Sequence, residues 1–315
     1  MVNNLKNKKN LLAFSGGTDS SALFNMLLEQ DIPFDLVMVD YNSREQSKKE
    51  VAFAKSLISK YNKKLHLLNT SLDLSEGNFE KRARDIRYDF FDKTMINYDN
   101  LILGHNLSDK LEWFLMQLTR GAGIKELYGM EEISIRKNYT VVRPLLNDSK
   151  KEILEYLNKH QLNYFYDKSN DDESFTRNYF RHNFSEKLLE ENKEGILKTF
   201  KILEKEKSFL PVGKKIEELN EYVVYKIDFS VASSLLSSLL KERGYLLSGS
   251  QREEFEDKEE ITVIFEDKTY SASYREGKLY LSPYLKDIIL PKKFKEEMRI
   301  KKVPPKHRGY LFFIL

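Results

Sequence analysis

The chain has 315 residues, 41% of them hydrophobic, with 52 Lys+Arg against 49 Asp+Glu, a net charge of +3 and no cysteine. That length supports two domains with a core large enough to hold without covalent staples. The lack of cysteine excludes disulfides, Cys-based zinc sites and a thiol nucleophile and fits a reducing, cytoplasmic setting; no apolar run approaches a membrane span, and the polar, basic stretch Met1 to Asn10 is expected to be neither signal peptide nor anchor.

Leu11 to Phe14 reads as a buried strand, and Ser20 to Gln30 as a helix, because Leu23, Met26, Leu27 and Gln30 recur at helical spacing. Between them lies the polar turn Ser15-Gly16-Gly17-Thr18-Asp19-Ser20. Two successive glycines let the backbone approach a ligand and reach positive φ. The hydroxyls of Ser15, Thr18 and Ser20 add donors, and the helix that follows aims its free N–H groups at the same spot. Such a turn is a phosphate site. It is not a Walker loop: no Gly-Lys-Ser/Thr occurs in the chain, and Asp19 stands where that lysine would be. A carboxylate beside phosphate oxygens needs a cation between them, which implies Mg²⁺ alongside ATP. An ordinary glycine turn is the plain alternative. The string resembles the signature of the ATP pyrophosphatases, and that resemblance implies cleavage of ATP between the α and β phosphates with AMP left on a substrate.

Phe34 to Val39 reads as a second strand, ending at Asp40. Ser43-Arg44-Glu45-Gln46 has capping-box spacing, and Val51, Ala54, Ile58 and Tyr61 form the buried stripe of the helix it opens. Leu65 to Leu68 is a third strand, Phe79, Ala83, Ile86 and Phe90 mark a further helix, and Leu101 to Leu103 is a fourth strand ending at Gly104. This alternation predicts an α/β domain with a Rossmann-like, mostly parallel sheet, right-handed crossovers and helices on both faces. Ligands of such sheets bind past the carboxyl ends of the strands. Asp40, the Gly16-Gly17 turn and Gly104-His105 are therefore expected at one edge.

The fourth strand leads into Gly104-His105-Asn106-Leu107-Ser108-Asp109-Lys110-Leu111-Glu112. Leu111, Phe114, Leu115 and Leu118 form a core stripe, so a helix begins near Ser108 or Asp109 and carries Asp109 and Glu112 on one face of its first turn. Two carboxylates there can hold Mg²⁺ or serve as acid and base; a carboxylate at a helix start is equally a cap. His105 stands at the strand terminus, and Trp113 reads as a packing residue. The stretch from Arg120-Gly121-Ala122-Gly123 to Gly129-Met130 lacks the third glycine of a dinucleotide fingerprint and follows a helix, so it reads as a glycine-rich linker carrying Arg120 and Lys125 near the site.

Taken with Arg143-Pro144-Leu145-Leu146, a helix opened by Ser149 with Glu152, Asp167-Lys168-Ser169-Asn170-Asp171, Arg177-Asn178 and Arg181, these motifs are similar in order and spacing to the tRNA(Ile)-lysidine synthetase family over roughly residues 9 to 190. The chain departs from that pattern at Asn106, where the family more often has a second His, and at Ser108, where it has a second acid. The resemblance implies that Asp19, Asp109, Glu112 and His105 are catalytic and that Ser15, Gly16, Gly17, Thr18, Asp19 and Ser20 hold ATP. It further implies Mg²⁺ on Asp19, Asp109 and Glu112, and RNA contacts from Arg120, Arg177, Asn178 and Arg181. Arg suits phosphate by its fork, yet Arg177, Asn178 and Arg181 are equally readable as a clasp on the Asp167 to Asp172 loop.

The implied reaction adenylates the wobble cytidine of tRNA(Ile) with the CAU anticodon, and free L-lysine then displaces AMP. The implied partners are that tRNA and lysine, with no membrane and with room left for a homodimer. Relatives that thiolate tRNA use the same nucleotide turn together with cysteines; this chain has none, which excludes the usual sulfur route. A small-molecule amidating ligase and a non-catalytic tRNA-binding protein stay open as other readings.

Glu186 to Lys207 is charged and helical in pattern, and short strands return from about Tyr222, including Ile261 to Phe265 and Lys278 to Leu281, with Leu235 to Leu240 helical. Ser248-Gly249-Ser250 lacks the strand-turn-helix context of a nucleophile. Lys286 to Leu315 carries nine Lys/Arg against three Asp/Glu, a local basic surface compatible with RNA or with a solvated tail. The expected organisation is a catalytic domain over 1–190, a helical linker over 191–220 and a smaller α+β, tRNA-binding domain over 221–315.

Overall fold

A computed structural model describes residues 5–42, 45–72, 79–167, 171–207, 213–265 and 267–315, so Ser43 and Arg44 of the expected capping box and Lys168, Ser169 and Asn170 lie outside the described residues. The chain forms two compact units, Met1–Glu204 and Lys205–Leu315.

In the first unit, β1 (Asn10–Ala13), α1 (Thr18–Glu29), β2 (Phe34–Asp40), α2 (Glu45–Tyr61), β3 (Leu65–Asn69), α3 (Phe79–Thr94), β4 (Asn100–Ile102) and α4 (Leu107–Leu118) follow the expected alternation. The short helix α5 (Ile124–Tyr128) and the hairpin β5 (Ile133–Arg136) and β6 (Tyr139–Val142) come next, then α6 (Lys150–Lys159), α7 (Thr176–Phe180), a π turn over Arg181–Ser185 and α8 (Glu186–Lys207). The strand order is β3-β2-β1-β4-β6-β5, all parallel except the β5-β6 pair.

Neighbouring residues of each strand face opposite sides. Leu12, Leu36, Met38, Ile102 and Val142 pack with α1, α2 and α6, whereas Leu11, Val37, Leu101, Leu103 and Val141 pack with Phe91 and Tyr88 of α3. Burial on both faces is why these strands read as continuous apolar runs. The chain leaves β1 toward β2 and β3, then crosses back to place β4 on the other side of β1. That reversal opens a crevice at the carboxyl ends of β1 and β4.

The β5-β6 hairpin and α5 were not anticipated. Each is four or five residues long, and β5 is an edge strand with Ile133 and Ile135 exposed, so its alternation carries little hydrophobic signal. Asp92 of α3 secures the hairpin by accepting from Arg136, Lys137 and Tyr139. After α5 the chain turns at Gly129, whose φ is +52° and where a Cβ would lie 2.0 Å from the Trp113 indole nitrogen. Trp113 donates that N–H to the Glu126 carbonyl at 2.7 Å, so it packs, as its sequence context suggested.

The second unit is α+β. Strands β7 (Lys214–Leu219), β8 (Tyr222–Lys226), β9 (Glu260–Phe265), β10 (Lys268–Arg275) and β11 (Lys278–Pro283) form an antiparallel sheet in the order β7-β8-β11-β10-β9. Helices α9 (Phe229–Glu242) and α10 (Gly249–Lys258) cover one face, and α11 (Lys292–Ile300) and α12 (Pro305–Ile314) the other. Ser248, weighed above as a nucleophile and set aside, is the N-cap of α10.

His307 of α12 is fully buried, with Ser282 Oγ 2.8 Å from Nδ1 and Ser273 Oγ 3.1 Å from Nε2. Burial, aided by the neighbouring Lys306 charge, lowers its pKa to about 3. A histidine held neutral in the fold takes up a proton first in the unfolded chain, so its contribution is complete above the unfolded pKa near 6.5 and is lost as pH falls toward 3. At pH 5 this amounts to about 2 kcal/mol. Hydrogen exchange of the β10 and β11 amides between pH 7 and 5 is expected to lose protection by that amount, and His307→Gln to show a flatter dependence. Equal slopes in the two proteins would refute the assignment.

Candidate active site

The turn after β1 is stiffened from within. Gly16 has φ +77°, Ser20 Oγ donates to the Gly17 carbonyl at 3.1 Å and accepts from the Ser15 N–H at 3.3 Å, and Ser21 Oγ donates to the Gly16 carbonyl. From outside, the Phe165 N–H donates to the Gly16 carbonyl at 2.9 Å, and a Cβ on Gly16 would press on the Phe165 ring at 3.4 Å. Gly17 is the N-cap of α1 and has no side chain to cap it, so the first-turn N–H groups are left for a ligand. Ser15 and Ser20 thus serve mainly to shape the turn, while Thr18 and Asp19 project from its outer side.

Asp19 is the hub. Its carboxylate accepts from Lys150 Nζ at 2.8 and 3.0 Å and from Asn106 Nδ2 at 3.1 Å. Lys150 also donates to Thr18 Oγ1. Gly104 is needed beside it, because a Cβ there would stand 3.2 Å from the Asp19 Cβ. Lys150 was not singled out from the sequence. It occupies the first position of α6, behind the Ser149 and Glu152 capping box, and that position beside a recognised cap was the available signal. The Walker lysine missing from the turn is supplied, in charge, by a residue 131 positions away.

At the start of α4, Asn106 caps the helix: its side chain accepts from the Asp109 N–H, and Asp109 Oδ2 accepts from the Asn106 N–H at 2.9 Å. Asp109 thus caps the helix, as one of its two readings had it, and it also lines a cavity. Its other oxygen accepts from Arg177. Burial opposes ionisation of Asp109, but the Arg177 guanidinium, the Asn106 N–H and Arg181 outweigh it and hold the carboxyl below the usual carboxylate range.

Glu112 is completely buried: Oε2 accepts from Arg177 Nε at 2.8 Å and Arg181 Nη2 at 3.1 Å, and Oε1 from Arg181 Nε at 2.7 Å. Arg177 and Arg181 stand four apart across the α7 and π-turn junction and reach α4 together. Among the described residues, Asn178 donates to the Asp172 carbonyl of that loop at 2.9 Å, and the arginines grip α4. Arg120 is exposed in the turn after α4.

His105 follows β4 with Nδ1 accepting from Arg143 Nε at 3.2 Å. Burial, then the positive charges of Arg143, Arg177 and Arg84, keep it neutral against the opposing pull of Asp109. Arg143 in turn holds the Glu131 carbonyl and Ser134 Oγ.

Two cavities meet at Ser15, Asp19 and Glu50. One, of about 420 Å³, is walled by Asp40, Arg84, Arg87, His105 and Arg177; the other, of about 540 Å³, by Thr18, Asn106, Asp109, Lys150, Tyr166 and Arg181. The expected gathering of Asp40, the glycine turn and Gly104-His105 is realised in the first. Arg84 and Arg87 of α3 were not recognised in the sequence, where they sit within a run of ordinary helix charges. Among the described residues no three His, Asp or Glu side chains form a ready-made metal cluster. Asp19 with its open flank suits a cation held by one carboxylate and phosphate oxygens, the usual mode for Mg²⁺.

The PP-loop domain family matches residues 1–188. Over 98% of its length the chain is 42% identical to a tRNA(Ile)-lysidine synthase of Campylobacter jejuni strain RM1221, covering 94% of that protein. The chain belongs to the tRNA(Ile)-lysidine synthase family. Other members include those of Wolinella succinogenes, 38% identical with 98% of this chain and 94% of the relative covered, and of Helicobacter pylori, 37% identical with 98% and 90% covered. In fold, the U34-tRNA thiolase NcsA of Methanococcus maripaludis matches with a TM-score of 0.51 at 21% identity, over 64% of this chain and 73% of that one. Membership in this lysidine synthase family makes the chain an enzyme of the ATP-using PP-loop class. No described helix is long and apolar enough to cross a membrane.

Proposed function

We propose that this enzyme joins free lysine to C2 of the wobble cytidine of the AUA-decoding tRNA(Ile), through an adenylated cytidine, releasing diphosphate and AMP. Codon reading would change from AUG to AUA and amino-acid identity from Met to Ile. The observation that carries the reading is the Ser15 to Ser20 turn with Asp19 at the meeting of two cavities and Lys150 paired to it in the second. The names of the relatives supply the substrate class.

In this reading the α1 N–H groups and Lys150 hold the phosphates, and Asp19 with those oxygens holds Mg²⁺, whose charge would ease departure of diphosphate. Arg84 and Arg87 lie on the opposite wall as further anion partners. The rate then comes mainly from positioning and charge stabilisation. Lysine attacks only as the free amine, so a proton must leave it. Of the two carboxylates weighed for that role, Asp109 lines a cavity and Glu112 is sealed behind arginines. Asp109 is therefore the residue we assign to face the lysine amine, with Glu112 fixing the arginines around it.

The test is diphosphate release from ATP with Mg²⁺ and lysine, using bulk tRNA with or without the AUA-decoding species. Release that needs that tRNA, with labelled lysine becoming attached to it, is the expected result. Release without RNA would make the chain a small-molecule ligase, and no release under any condition would leave a binding protein.

A further inference from the structure

The segment that supplies Arg177 and Arg181 also carries a set of rings that the core does not use. Tyr179, Phe180 and Phe184 lie with ring centroids 5.6 to 5.9 Å apart. Tyr179 and Phe184 are 44% and 42% exposed, and Phe175 and Tyr166 beside them in the chain or at the cavity are 40% and 53% exposed. None of these rings belongs to a hydrophobic core cluster of the unit. Large rings left in water together, on a short element, mark a contact surface.

The placement says what the surface meets. Arg181 and His182 lie between Tyr179 and Phe184 in the same turn and line the cavity that holds Asp19 and Asp109, and Tyr166 lines that cavity too. The segment that carries the rings is tied to the buried Glu112 through Arg177 and Arg181. The turn is a π turn, an irregularity that recurs at functional sites. An enzyme acting on a loop base must take that base out of its stack, which leaves its neighbours without stacking partners. Aromatic faces beside a cationic cavity accept such bases whatever their identity. The nearby acids are partly committed: Asp171 accepts from Tyr166, and Asp172 from the Ser174 N–H. Attraction there rests on stacking more than on charge.

We propose that Tyr179 and Phe184, flanked by Phe175 and Tyr166, form a stacking platform for the single-stranded anticodon-loop nucleotides next to the base that enters the site. This rests on the tRNA reading above.

The test compares the full chain with Tyr179→Ala, Phe184→Ala and the double variant, measuring binding of an RNA hairpin with a CAU anticodon loop across a salt series. Each alanine is expected to weaken binding by on the order of tenfold. The salt slope should stay at the wild-type value, because no phosphate contact is removed. The loss should appear in KM for tRNA more than in kcat, and Tyr179→Trp with Phe184→Tyr should restore it. Wild-type affinity in the double variant, with diphosphate release still dependent on tRNA, would overturn the platform and leave the proposed function standing. A loss that aromatic replacement does not rescue, or one explained by a change in oligomeric state on sedimentation, would also overturn it. A wild-type chain that binds no tRNA would overturn both.

Discussion

Asp19→Ala is expected to lower diphosphate release at saturating ATP and Mg²⁺ by roughly 10²- to 10³-fold, the scale of losing one preorganised electrostatic group. The side chain lines both cavities. Its removal leaves Lys150 without the carboxylate it pairs with and the buried Asn106 Nδ2 without an acceptor. The variant should therefore lose about 1–3 kcal/mol of stability, the cost of an unsatisfied buried donor, and stay folded while failing in rate. Stopped assays of diphosphate, alongside thermal unfolding, separate the two effects. A near-normal rate would move the cation seat away from Asp19, and with it the reason for an acid in this turn.

Glu112→Ala should fail differently. Removing one side of a fully buried ion pair costs about 3–5 kcal/mol, and the cost here should fall below that because water reaches the Arg177 side chain, 43% exposed, and in part Arg181, 20% exposed. Here two guanidiniums lose their shared acceptor, and Arg177 falls back on Asp109 alone. The expected outcome is a large drop in the denaturation midpoint together with lost activity, and Glu112→Gln should recover part of the stability through its remaining carbonyl. A double-mutant cycle with Arg181→Ala should show strong coupling. If Glu112→Ala kept wild-type stability and lost only rate, the residue would act directly on the reaction, as the sequence reading allowed, and the clasp would carry no structural weight.

Much of this site was legible before any coordinate. The Ser15 to Ser20 turn, Asp109 on the first turn of α4 and the Ser149 cap of α6 are local features, set by residues within five positions of one another. The helices and parallel strands were equally legible, because burial on one stripe or on two faces leaves a period in the sequence. β5, β6 and α5 were not, being too short or too exposed to leave one.

The sequence by itself determined the fold class and the family, and it singled out the glycine turn and the carboxylates Asp19, Asp109 and Glu112. Only the tertiary structure decided their partners. Lys150 meets Asp19 across 131 positions, and Arg177 and Arg181 meet Asp109 and Glu112 across 65 to 69. Such pairings depend on where crossovers set the ends of separate helices, and no local period encodes that. For this reason the sequence left the arginines equally readable as RNA contacts or as a clasp on the Asp167 to Asp172 loop, and the fold pairs both with the buried Glu112 while the rings beside them stay partly exposed.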